Sequence, residues 1–194
     1  MSIESEAISQ SPALMATTLE RTTCVHEPRS AIAVANEILA VARKNHAALD
    51  PMKLQKLAFY AHGWHLGLQH TPLLDEQVEA WPYGPVIPSI YHAFKQYGTE
   101  QVAASASAID AEGSLYVPRL AKGYDRRLIE KVWEQYGDFS ATQLSKMTHR
   151  PGTPWDTTWN NNSSRLRSLA IPNELIEDFF NRQAVKNRGN VARS

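Results

Sequence analysis

The chain has 194 residues, 43% of them apolar and 21% charged, which is enough for one core of ordinary size. Its twenty Lys and Arg balance twenty Asp and Glu, so no global field draws it to nucleic acid or an anionic membrane. No apolar run approaches the roughly 20 residues that span a bilayer, and the N-terminus lacks a basic stretch followed by an apolar one, so a soluble, cytoplasmic protein is expected. The single cysteine, Cys24, excludes an intramolecular disulfide and a Cys-based zinc site.

Residues 1–28 are rich in Ser, Thr, Glu and Ala and carry too few large apolar groups to repay ordering; they read as a disordered tail. From Ser30, a potential cap, Ile32, Ala35, Ile38, Leu39 and Ala42 trace a helical face to about Asn45. The chain is organised around the next helix, Pro51 to Gln69. Asp50 can cap it and Pro51 occupies its first position, while Leu54, Leu57, Ala58, Ala61, His65 and Leu68 predict one broad buried face. Tyr60, Gly63 and Gly67 form a second stripe. Each interior Gly costs about 1 kcal/mol relative to Ala, so this stripe implies close approach of another segment. The expected neighbour is EAWPYGPV, residues 79–86.

Thr71-Pro72 ends that helix, and Gln77 to Trp81 alternates like a short strand. Tyr83-Gly84-Pro85 predicts a turn, and Pro88 to Tyr97 a helix closed by Gly98, with Ile87, Ile90, Tyr91, Phe94 and Tyr97 on its apolar face. Residues 99–113 read as a variable surface loop. Leu115, Val117 and Leu120 alternate, predicting a strand that pairs with residues 78–81 in a two-stranded antiparallel ribbon. Asp125 to Tyr136 predicts a helix with Leu128, Val132, Trp133 and Tyr136 on one face. Ser140 caps another carrying Leu144, Met147 and Thr148, and Thr153-Pro154 opens a short third with Trp155 and Trp159. Asn160 to Ser164 reads as a polar turn, Asn173 to Gln183 as a last helix, and residues 184–194 as a frayed tail. The fold class is therefore mainly α (α+β): a compact helical domain over residues 29–183 with a small β-ribbon.

Four blocks, MKLQKLAFYAHGWHLGL, VEAWPYGPVIPSIYHAFKQYG, LSKMTHRPGTPW and IPNELIEDFF, occur in this order. Together they resemble the Panacea domain family, which includes SocA-like antitoxins and phage-associated GepA-like proteins; the likeness spans about Arg29 to Phe180. The resemblance implies a non-enzymatic antitoxin that binds and neutralises a toxin encoded beside it, by direct contact or as an adaptor to a Clp-type protease. It does not name the toxin.

Other chemistries are weaker. His62 and His65 sit at i, i+3 on the central helix, but a metal site needs three or four convergent ligands, and no Asp or Glu accompanies them there. They read as buried histidines satisfied by neighbours. Ser89 near His92 lies in no catalytic signature, and no phosphate-binding glycine loop is present, so no catalytic, cofactor or metal residues are assigned. Arg126, Arg127, Lys131, Lys146, His149 and Arg150 offer cations to DNA, yet Glu130, Glu134 and Asp138 are interleaved with them. A metal-dependent or other small enzyme built on His62 and His65, or a DNA-binding regulator, is the alternative to the antitoxin.

Trp64, Trp133 and Phe94 read as core from their helical spacing. Trp81, Tyr83, Pro85, His149 and Trp155 are the candidate partner-binding residues. Tyr83 and Trp155 lie beside Pro and Gly, where a half-exposed ring can anchor an interface with few torsions to freeze.

Overall fold

The computed structural model describes residues 27–161 and 169–191, with side chains up to residue 186. The expectations for residues 1–26 with Cys24, for the turn at residues 162–164 and for the final three residues lie outside these. Among the described residues, seven α-helices build one core: α1 (Ala31–Lys44), α2 (Pro51–Gln69), α3 (Pro88–Phe94), α4 (Tyr124–Tyr136), α5 (Ala141–Thr148), α6 (Pro154–Asn160) and α7 (Asn173–Val191). Five short strands complete it: β1 (Val78–Trp81), β2 (Gly84–Val86), β3 (Ala108–Ile109), β4 (Leu115–Tyr116) and β5 (Leu169–Ile171). The protein is mainly α with small antiparallel sheets.

Local chemistry sets three of the helix starts. The Asp50 carboxylate accepts the Lys53 N–H at 2.9 Å, and Pro51 follows where no N–H is needed. Ser140 and Gln143 form a reciprocal capping box at α5, and Thr153 with Pro154 opens α6. Ser30 stands at the cap of α1 without a side-chain bond; the segment is instead held by Arg29, which pairs with Leu74.

α2 is the pillar. Every residue from Leu54 to Gly67 is buried, where one broad face was expected. The reason is that α1, α4, α5, α7 and the β1–β2 hairpin cover it from all sides. The glycine stripe is indeed a close approach, but the neighbour is α7 and not residues 79–86. A Cβ on Gly63 would run into the Phe180 ring, and one on Gly67 would stand 2.8 Å from the Phe180 carbonyl carbon and Cβ. Phe180 sits edge-on to Trp64, Phe59 and Tyr60, and Tyr60 stacks on Tyr136 at 4.2 Å.

β1 does not pair with residues 115–120. It lies at the centre of a three-stranded antiparallel sheet, β2-β1-β5, with Trp81 opposite Gly84, Glu79 opposite Val86 and Val78 opposite Ile171. Leu115 and Tyr116 instead pair locally with Ile109 and Ala108, while Leu120 is buried outside any strand. The loop from residue 99 is also less free than expected: Val102 is buried, and buried Asn36 bonds the backbone of Ala106 and Pro118. α7 continues past Gln183 to Val191.

Candidate functional site

The site begins with two polar residues inside the pillar. Gln55 makes a two-way bond with the Ile87 backbone, accepting its N–H at 2.9 Å and donating to its carbonyl at 3.0 Å. Lys56, 1% exposed, donates from Nζ to the carbonyls of Tyr83 at 2.6 Å and Pro85 at 3.1 Å. Burial lowers its pKa to about 7, so near neutrality its stabilising bonds are held against a desolvation cost. Both residues bind backbone, and the backbone they bind is the β1–β2 hairpin and its exit.

Two further side chains, Ser145 and Trp155, hold the same hairpin, and His149 packs behind it. Ser145 Oγ donates to the Tyr83 carbonyl at 3.1 Å, and Trp155 Nε1 to the Trp81 carbonyl at 2.8 Å. His149 Nδ1 donates to Ser145 O at 2.6 Å, its Nε2 faces the Pro82 carbonyl at 3.3 Å, and its ring lies 3.8 Å from Trp155. Gly84 at φ +103° is required here: it follows a Pro82-Tyr83 turn that offers no residue for the left-handed region, and a Cβ would stand 2.6 Å from Lys56 Nζ and 2.8 Å from Thr148 Oγ1.

The five candidate residues thus come together, in different roles. Tyr83 is 74% exposed at the tip. Trp81 is half-buried against Tyr91, with ring centroids 4.8 Å apart. Pro85 is buried in β2, and Trp155, read as a half-exposed anchor, is buried beneath the hairpin, because α6 packs on β1 and its indole N–H needs the Trp81 carbonyl. His149 is half-buried behind the turn. Sequence reasoning missed Lys56, Gln55 and Ser145; Tyr91, read on the apolar face of its helix, is 38% exposed. A lysine set between Leu54 and Leu57 and the wholly apolar turn after it was the available signal.

Beside the hairpin lies a half-open groove of about 300 Å³, lined by Met52, Trp81, Tyr83, Val86 and Tyr91 among others.

The histidines of α2 are structural in geometry. His62 accepts the Leu74 N–H at Nδ1 and donates from Nε2 to Asn173 Oδ1 at 3.1 Å, and burial lowers its pKa to about 4. His65 donates from Nδ1 to Thr71 O at 2.7 Å, with Nε2 3.7 Å from Asp125 Oδ1. Among the described residues, no three His, Cys, Asp or Glu are grouped to hold a metal ion. Two of the cations weighed for DNA are paired, Arg126 with Glu37 and Lys131 with Glu134. No described helix is long and apolar enough to cross a membrane.

Residues 54–156, from the pillar through the start of α6, match the model of the family described as antitoxin SocA-like, Panacea domain. The chain belongs to the SocA-like Panacea family. It is 34% identical to Antitoxin SocA of Caulobacter vibrioides (strain NA1000 / CB15N) over 166 residues, covering 82% of this chain and 87% of that protein. No solved structure matches it significantly. The Panacea match contains Gln55, Lys56, the hairpin, Ser145, His149 and Trp155, so the pinned turn lies wholly within it.

Proposed function

We propose that this Panacea protein is an antitoxin that neutralises a toxin encoded beside it by direct protein contact, with the Tyr83 hairpin at the centre of the contact surface. The observation that carries this reading is a large ring, 74% exposed, on a backbone fixed by Lys56, Ser145 and Trp155. A pre-ordered turn spares the partner part of the ordering cost, and Tyr is favoured at interface centres. Likeness to Antitoxin SocA supports the partner class. Occlusion of the toxin and its delivery to a Clp-type protease share this first contact and differ in whether toxin levels fall.

The test is expression of the adjoining reading frame with and without this chain. Growth arrest relieved by co-expression is expected; harm that is absent, or unchanged by this chain, refutes the reading. Tyr83→Ala should weaken affinity for the toxin by roughly 30-fold at an unaltered melting midpoint. Wild-type affinity in that variant moves the contact surface elsewhere.

A further inference from the structure

The groove beside the hairpin has a composition that a contact at Tyr83 alone does not use. Its walls are the rings of Trp81 and Tyr91 and the chains of Met52 and Val86, with Ile90 buried behind them, whereas the charged side chains in its lining, Lys56 and Lys95, are both basic. Lys56 Nζ is committed to two carbonyls. Lys95 is exposed at the end of α3, and among the described residues no carboxylate lies within ion-pair distance of it. Glu79, which shares a strand face with Trp81, is held by the Trp81 indole at 2.7 Å.

Apolar walls favour a ring or long aliphatic chain that leaves water. An ammonium without a local counter-charge favours an acidic neighbour and penalises a basic one. At about 300 Å³ the groove sits at the floor of the ~300–1,000 Å³ range of small-ligand pockets and is open along one side. That shape suits a side chain presented by a protein surface. Resting on the reading of the chain as a toxin-binding antitoxin, we infer that this groove receives an aromatic or large aliphatic side chain of the toxin, flanked by an Asp or Glu that pairs with Lys95.

The experiment titrates the full chain with the purified product of the adjoining reading frame, at low and high salt. Variants are Met52→Asp, Tyr91→Ala and Lys95→Glu, all at exposed positions, with a melting curve for each. Each should bind at least about 10-fold more weakly while melting like the wild type. The Lys95→Glu deficit should shrink as salt rises and be recovered by an Asp→Lys or Glu→Lys change in the toxin. If all three bind normally while Tyr83→Ala still loses affinity, the groove inference fails and the antitoxin reading stands. Tighter binding by Lys95→Glu also overturns it, as does self-association of the chain alone that Met52→Asp abolishes. If the wild type binds nothing encoded beside it, both fall.

Discussion

Replacing Gly67 by Ala sets two effects of opposite sign against each other, and the geometry decides between them. The new methyl raises helix propensity by about 1 kcal/mol. Its Cβ would stand 2.8 Å from both the carbonyl carbon and Cβ of Phe180 and 2.9 Å from the Asn181 nitrogen, about 0.6 Å inside the 3.4 Å at which ordinary contact begins. These are atoms of α7's own backbone and first side-chain carbon, so no rotamer change removes them, and α2 and α7 must separate. Overpacking of this kind costs about 1–3 kcal/mol, so Gly67→Ala should destabilise by up to about 2 kcal/mol and Gly67→Leu by more. At roughly 2–4 °C per kcal/mol for a domain of this size, the Ala variant should melt several degrees lower.

Gly63 supplies the control. Its added Cβ meets the Phe180 ring, which truncation removes. In a double-mutant cycle read by thermal and urea unfolding, Phe180→Ala should absorb most of the cost of Gly63→Ala and almost none of that of Gly67→Ala. A Gly67→Ala midpoint at or above the wild type, or equal coupling of both glycines to Phe180, would refute close helix contact as the reason for the stripe.

Three further outcomes follow from the buried polar groups. Lys56 titrates near 7 in the folded chain against 10.5 for an ordinary solvated lysine, so the unfolded chain binds more protons between those values. Stability should therefore rise with pH across about 7 to 10, by at most about 1.4 kcal/mol per unit, and Lys56→Met should flatten that slope in urea titrations. His62, lowered to about 4 from 6.5, should contribute a loss of stability as pH falls from 6.5 through 4, and His62→Gln should reduce that loss. Gly84→Ala forces a side chain to φ +103° and displaces Lys56 Nζ; a cost of about 1–3 kcal/mol is expected, with weakened toxin binding, and an unchanged melting curve would show that the turn relaxes freely.

What the sequence disclosed were the features encoded within a few residues. Asp50-Pro51, Ser140 with Gln143, and Thr153-Pro154 announce helix starts because cap and first turn are neighbours in the chain. The glycine stripe announced a close approach but not its partner, since Phe180 belongs to the last helix and any aromatic segment would have satisfied the same spacing. β1 was legible as a strand. Its second neighbour, Leu169–Ile171, was not, because three residues carry too little alternation to mark a pairing so distant in sequence. Of the candidate site, Tyr83 was legible from its Pro-Gly surroundings, whereas Lys56 had only its apolar flanks to mark it. A lysine on a helix reads as solvated until a hairpin is known to cover that face and to offer it carbonyls.

The way the hairpin is held bears on what it can present. Lys56, Gln55, Ser145 and Trp155 all bond main-chain groups of residues 81–87, so the turn's shape depends on those four side chains and on Gly84. The Tyr83 ring takes no part in that network and points out at a residue with ordinary negative φ. Most side chains other than proline could occupy position 83 at little cost in stability, because neither a left-handed backbone nor a lost side-chain bond opposes the change. The same separation holds in the groove, where Met52, Tyr91 and Lys95 are exposed and the residues that fix the walls lie beneath them. On the proposed reading, stability and contact chemistry are carried by different residues of one small region. A fold arranged in this way can alter its partner by changing surface side chains while its pillar, glycine contact and pinned turn remain as they are.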